Sequence, residues 1–217
     1  MQNDNQRNLL SKTYNMATPP EMAMRWEEYE NLIFTQWQEL LNHNPKPSEI
    51  EIQSFLEQYP SLVPGAYNIV GGESGHPPTP HGLISQPTLP SYHSYIPDFL
   101  WISHNSSCVE PVFIEIESPK KRWFTNSGTF SQDFNQALGQ LEDWRVWIKE
   151  PINQISFKSF YGLDKYPYNE RAFVPYFVLI YGRREEATSN PNWNKKRHEK
   201  EKDDLKIMTF DRLTPHY

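Results

Sequence analysis

The sequence predicts an α/β (α+β) domain, a mixed central sheet flanked by helices and preceded by an N-terminal helix. Three observations predict it. Helical stripes and strand-like segments follow one another as helix, helix, strands, helix, strand, helix, strand. One segment, 173–182 (FVPYFVLIYG), is nearly all apolar, which suits a strand buried on both faces. The 217 residues are 37% hydrophobic and 14% aromatic, enough for a sizeable core.

The elements are read in order. Residues 1–20 are polar, rich in Asn and Gln, and end in Thr18-Pro19-Pro20, which reads as a flexible arm. The unit 21–45 is an N-terminal helix. Trp26, Tyr29, Ile33, Trp37 and Leu40 recur at three- and four-residue steps over 22–42, and Asn42-His43-Asn44-Pro45 stops the run. A second helix starts at Pro47-Ser48. Ser48 supplies the N-cap, Glu51 completes a capping box, and Ile52, Phe55 and Leu56 form the apolar face. Residues 71–97 hold six of the 19 prolines and read as a Pro-rich insertion or long loop.

Strand-like alternation follows at 96–103, with Phe99 and Trp101 on one face and Asp98 and Leu100 on the other. In 109–117, Val112, Ile114 and Ile116 share one face, and Phe113, Glu115 and Glu117 the other. A helix over about 130–149 carries the core stripe Phe134, Leu138, Leu141, Trp144 and Ile148, with Gln136, Gln140, Asp143 and Trp147 opposite. A charged stretch at 192–204 leads to a last strand from Leu205 to Phe210.

Composition excludes several classes. A lone cysteine, Cys108, excludes a disulfide framework and a Cys-based zinc finger. The N-terminus shows no basic region followed by an apolar one, and no apolar run nears the roughly 18 residues of a membrane span. A cytoplasmic protein without a membrane partner is expected. His76, His81 and His93 match no metal-binding spacing. The net charge of −6 argues against a wholly basic nucleic-acid surface, but not against a site built from carboxylates.

Such a site is visible. Glu115 and Glu117 are two apart on a strand, so both project from one face. Carboxylates that close, in an apolar strand, raise each other's pKa, and a divalent cation reverses the penalty. Asp98 on a neighbouring strand adds a third oxygen. Oxygen-only ligands suit Mg²⁺ or Mn²⁺. The competing reading of a strand Glu-x-Glu is a solvated face. Basic residues cluster at Lys120-Lys121-Arg122, at Arg183-Arg184 and at 195–202, where Lys195 and Lys196 lead. These clusters can track phosphates or simply face solvent.

The pieces Ser48-Glu49-x-x-Ile52-Gln53-x-Phe55-Leu56-x-x-x-Pro60, Pro97-Asp98-Phe99, Ile114-Glu115-Ile116-Glu117-Ser118-Pro119, Phe124-Thr125-x-x-Gly128, Gln136-Ala137-x-x-Gln140-Leu141-x-Asp143-Trp144 and Gly182-Arg183-Arg184 stand in an informative order. In that order the chain resembles the Shedu anti-phage defence nucleases, a branch of the PD-(D/E)XK superfamily, over roughly residues 46–213. The resemblance implies a nuclease-like core at 46–217. Its activity would be that of a Mg²⁺-dependent DNA endonuclease, assembled as a homo-oligomer.

It also implies roles. Asp98 and Glu115 resemble the acidic metal ligands, Glu49 an additional one, and Gln136 or Gln140 the helix glutamine beside the site. Glu117 stands where the superfamily has lysine. It would serve as a base or further ligand, as in an E-x-E variant, with Lys120 or Lys121 reaching back to the phosphate. The alternative expectation is a catalytically silent DNA-binding or sensing module.

Overall fold

The computed structural model describes residues 24–65, 82–90 and 96–215. The arm at 1–20, the three loop histidines and most of the Pro-rich segment lie outside them.

The first helix, α1 (Trp26–Asn42), buries Ile33, Trp37 and Leu41, so the stripe ends on Leu41 while Leu40 is only half-buried. Helix α2 (Glu49–Gln58) carries the expected capping box. The Ser48 hydroxyl accepts from the Glu51 N–H at 3.3 Å, and the Glu51 carboxylate accepts from the Ser48 N–H at 2.7 Å.

Six strands then form one mixed sheet: β1 (Leu83–Ser85), β2 (Phe99–His104), β3 (Cys108–Ile116), β4 (Ala172–Phe173), β5 (Tyr176–Ile180) and β6 (Leu205–Met208). The order is β1-β2-β3-β5-β6, with β4 beside the start of β3. β1, β2 and β3 are antiparallel, whereas β3, β5 and β6 run parallel. The Pro-rich segment is therefore not all loop. Leu83–Ser85 pairs with Phe99–Trp101, and Leu89 is buried.

Helices cover both faces. Phe99, Val112, Ile114, Ile116, Val178 and Ile180 meet α1 and α2. On the other face Leu100, Ile102, Phe113, Phe177 and Leu179 meet α3 (Gln132–Lys149) and α4 (Pro151–Phe160). The alternation read along 99–103 and 109–117 is the alternation observed. On α3, Trp147 is buried rather than outward, because α4 folds back over it and Phe157 meets its ring edge-on at 6.4 Å. Helix α4 follows directly after Glu150-Pro151, with Pro151 in its first turn, and its weak stripe gave no separate helical signal in the sequence.

The chain leaves β5 through Gly182, whose φ of +54° places a would-be Cβ 2.4 Å from the Trp123 indole nitrogen. Only glycine fits that turn. It delivers Arg183 and the short helix α5 (Arg184–Thr188), followed by α6 (Pro191–His198). Among the described residues no helix is long and apolar enough to cross a membrane.

Candidate functional site

The site lies where β3 ends and is built by register. Phe99 pairs with Ile114, so Asp98, one residue before β2, comes beside Glu115. The Asp98 carboxylate accepts the Ile116 N–H at 2.8 Å, which fixes it against the end of β3. Asp98 and Glu115 also hydrogen-bond to each other. Glu117 continues the same face, its N–H donating to the Ile180 carbonyl at 3.0 Å. Glu49, in the first turn of α2, approaches Asp98, Glu115 and Glu117, and its carboxyl bonds to that of Glu117.

Four acids from three parts of the chain thus converge. Glu115 and Glu117 are withdrawn from water, 7% and 8% exposed, while Glu49 and Asp98 are half-buried. The solvated-face reading of Glu115-x-Glu117 does not hold, because both residues are buried.

The electrostatics follow from that burial. Desolvation raises the Asp98 pKa to about 7, opposed by the Ile116 N–H and reinforced by Glu49. Desolvation, with the Asp98 and Glu117 charges next, pushes Glu115 up to about 10. Glu117 is raised by burial too, though the Lys121 ammonium works against the rise. Lys121 forms an ion pair with the Glu117 carboxylate. Burial disfavours the Lys121 charge, but Glu117, then Glu49 and Asp133, outweigh it and raise its pKa.

One oxygen stands apart. Glu115 Oε2 is buried, and no N–H or hydroxyl group donates to it. Buried acceptors are ordinarily satisfied, so this lone pair faces a missing donor or cation. The donor set of Asp98, Glu115, Glu117 and Glu49 is oxygen-only, which fits Mg²⁺ or Mn²⁺. Among the described residues no three of these groups form a ready cage. Asp98 instead bonds Glu115, while Glu117 is held by Lys121.

A family model described as Shedu protein SduA, C-terminal, matches residues 46–214, more than three quarters of the chain. The chain belongs to the Shedu family. No curated protein matches it. The Shedu match opens at the α1–α2 junction and spans Glu49, Asp98, Glu115 and Glu117.

The other residues marked in this Shedu sequence are distributed unevenly. Gln136 is exposed and Gln140 half-buried on α3. Asp133, one turn before Gln136, is near enough to act on Lys121. Its signal in the sequence was only its place in the first turn after the Ser131 cap. Lys120 and Arg122 are exposed, with Arg122 3.6 Å from Glu186.

Arg183 is structurally engaged. It pairs with Asp211 at 2.8 Å and donates to the Leu41 carbonyl at 2.6 Å, closing the C-terminal end of α1. Arg184 is exposed, and it too meets Asp211, its N–H donating to the carboxylate at 2.6 Å and its guanidinium to the carbonyl at 3.2 Å. Lys195 is exposed on α6, and Lys196 donates to the Gly128 carbonyl at 2.8 Å. Lys120, Lys121, Arg122 and Arg183 line one cavity of about 490 Å³ together with Lys46, Glu185 and Glu186. Arg184 lines a second cavity, and Lys195 and Lys196 a third.

Proposed function

We propose that the chain is a metal-dependent DNA endonuclease of PD-(D/E)XK type, acting in the cytoplasm in defence against phage. The observation that carries this reading is the buried acid cluster at the end of β3, with its orphan Glu115 Oε2 and its single ammonium, Lys121. Asp98 and Glu115, with Glu49, would hold Mg²⁺ or Mn²⁺. When bound, the ion supplies Lewis-acid polarisation of the phosphate and a more acidic water.

The chain's own residues account for the remainder. Glu117, its pKa raised by burial, accepts the water proton at its carboxylate. The water oxygen forms the new P–O bond, the ester P–O bond breaks, and the departing alkoxide is protonated from solvent. Lys121 supplies the positive charge that Glu117 cannot. Four residues downstream of Glu117, it holds its ammonium against the Glu117 carboxylate, and from there would donate to a phosphate oxygen. This weighs against a silent site. Gln136, on the exposed face of α3, is the residue of the glutamine pair free to meet substrate. Self-assembly is part of the same reading, and light scattering on the purified chain measures it.

The test is cleavage of linear and closed-circular DNA with Mg²⁺, Mn²⁺ or EDTA, using the native chain and Glu115→Gln. Metal-dependent cleavage lost in the variant is expected. Cleavage unaffected by Glu115→Gln sinks the assignment, and DNA binding without any cleavage favours a sensing module.

A further inference from the structure

A second polar cavity lies two strands away, at the end of β6. It measures about 340 Å³ and is lined by Arg184 and Thr188 of α5, Asn194 and Arg197 of α6, and Thr209 and Arg212 after β6. Three guanidinium groups line it and no carboxylate does.

Of the acids nearby, one is committed elsewhere and one to a single arginine of the cavity. The Asp211 carboxylate takes Arg183 and the Arg184 N–H, leaving the Arg184 guanidinium a backbone carbonyl at 3.2 Å. Glu201 pairs with Arg197 at 3.2 Å. Arg212 has no ion-pair partner among the described residues.

Arg197 is 8% exposed, and donates to the Ile207 carbonyl at 2.8 Å. Burial lowers its pKa first of all, Glu201 opposes the fall, and the Arg212 charge adds to it. Arg197 is also held by the Asn194 side chain at 3.2 Å, so the guanidinium groups left without a carboxylate among the described residues are those of Arg184 and Arg212. Thr209 is 4% exposed, and its hydroxyl is buried without a partner. An unsatisfied buried hydroxyl is a cost to folding that a ligand oxygen would remove.

We propose that this cavity binds a phosphate group. Planar guanidinium forks match tetrahedral oxyanions, and the Thr209 hydroxyl adds a donor where the arginines converge. Two sources share this chemistry: a free phosphate or phosphate monoester, and the backbone of a DNA duplex. The proposal does not depend on cleavage, since the cavity shares no residue with the acid cluster.

The test uses the full chain in EDTA at low salt, so a failure of the nuclease reading leaves it untouched. Inorganic phosphate is titrated by calorimetry, and a labelled duplex without terminal phosphates by anisotropy. The variants are Thr209→Val and Arg212→Ala, the latter an exposed position. Each variant is expected to weaken one probe by roughly tenfold. Thr209→Val should keep or raise the melting temperature without ligand. Loss on inorganic phosphate identifies the free group. Loss on the duplex, with its salt slope reduced by about one, identifies the backbone. The proposal is overturned if the native chain binds neither probe. It is also overturned if both variants retain native affinities, whether or not Thr209→Val melts earlier.

Discussion

The two ends of the parallel ladder treat charge in opposite ways. At the start of β6, Arg145 reaches from α3 to Asp204 at 2.7 Å and to Glu142 at 2.6 Å, and Glu142 in turn takes Lys202 at 2.5 Å. Two cations alternate with two acids, and each charge has a partner. At the end of β3, four acids share one ammonium, and one carboxylate oxygen receives no N–H or hydroxyl donor. The first arrangement satisfies its members within the chain. The second is satisfied only by protons or by something from outside. Charge pairing serves the fold at one end and is withheld at the other, where a ligand would complete it.

That contrast can be broken in four places. Glu115→Gln has the largest expected effect. Metal-dependent cleavage should fall by at least about three orders of magnitude, ~4 kcal/mol of barrier, read as initial rates on supercoiled DNA. At pH 8 in EDTA the same variant should melt no lower than the native chain, because an amide needs no proton to be buried. Next is Arg145→Ala, which strands Asp204 and Glu142. It should lower stability by about 2–3 kcal/mol in urea denaturation, without altering cleavage per folded molecule. Lys121→Ala should cost about tenfold in cleavage, ~1.4 kcal/mol, with Lys121→Arg retaining more.

The most diagnostic effect is on pH. Asp98 and Glu115 have folded pKa values above their unfolded ones, so the folded state holds extra protons. Their contribution is full at low pH, below the unfolded carboxyl values. It declines for Asp98 as pH rises toward about 7, and for Glu115 onward toward about 10. The metal-free chain should therefore melt lower at pH 8 than at pH 5.5. Millimolar Mg²⁺ at pH 8 should restore part of the loss, and Glu115→Gln should flatten the slope. A melting temperature that rises steadily from pH 5.5 to 8 in EDTA would contradict the protonated pair.

Much of this architecture was legible in the chain. The alternation in 99–103 and 109–117 assigned sheet faces correctly because one face meets α1 and α2 and the other α3 and α4. The Ser48–Glu51 capping box located α2, and so located Glu49. The meeting of Asp98 with Glu115 was expected only as strand neighbours, and the register of β2 on β3 supplies it.

What escaped reading was set by tertiary packing. Three residues, Leu83–Ser85, become a strand because β2 offers an edge, not because of their pattern. Trp147 lies inward because α4 returns across it. Arg183 and Arg184 are adjacent in sequence and read as one basic pair, yet both are anchored on Asp211, and they line separate cavities. Arg197, Thr209 and Arg212 come together from two elements only when α6 packs beside the end of β6.

The α1 helix ends before residue 46, where the match to the Shedu family begins. Yet Trp37 donates its indole N–H to the Phe210 carbonyl at 3.3 Å, and Ile33, Trp37 and Leu41 complete one of the two cores. A fragment trimmed to the matched residues would open that core and leave Arg183 without the Leu41 carbonyl. The stretch that shared ancestry marks out is thus shorter than the stretch that must cooperate to fold, and the difference is one helix.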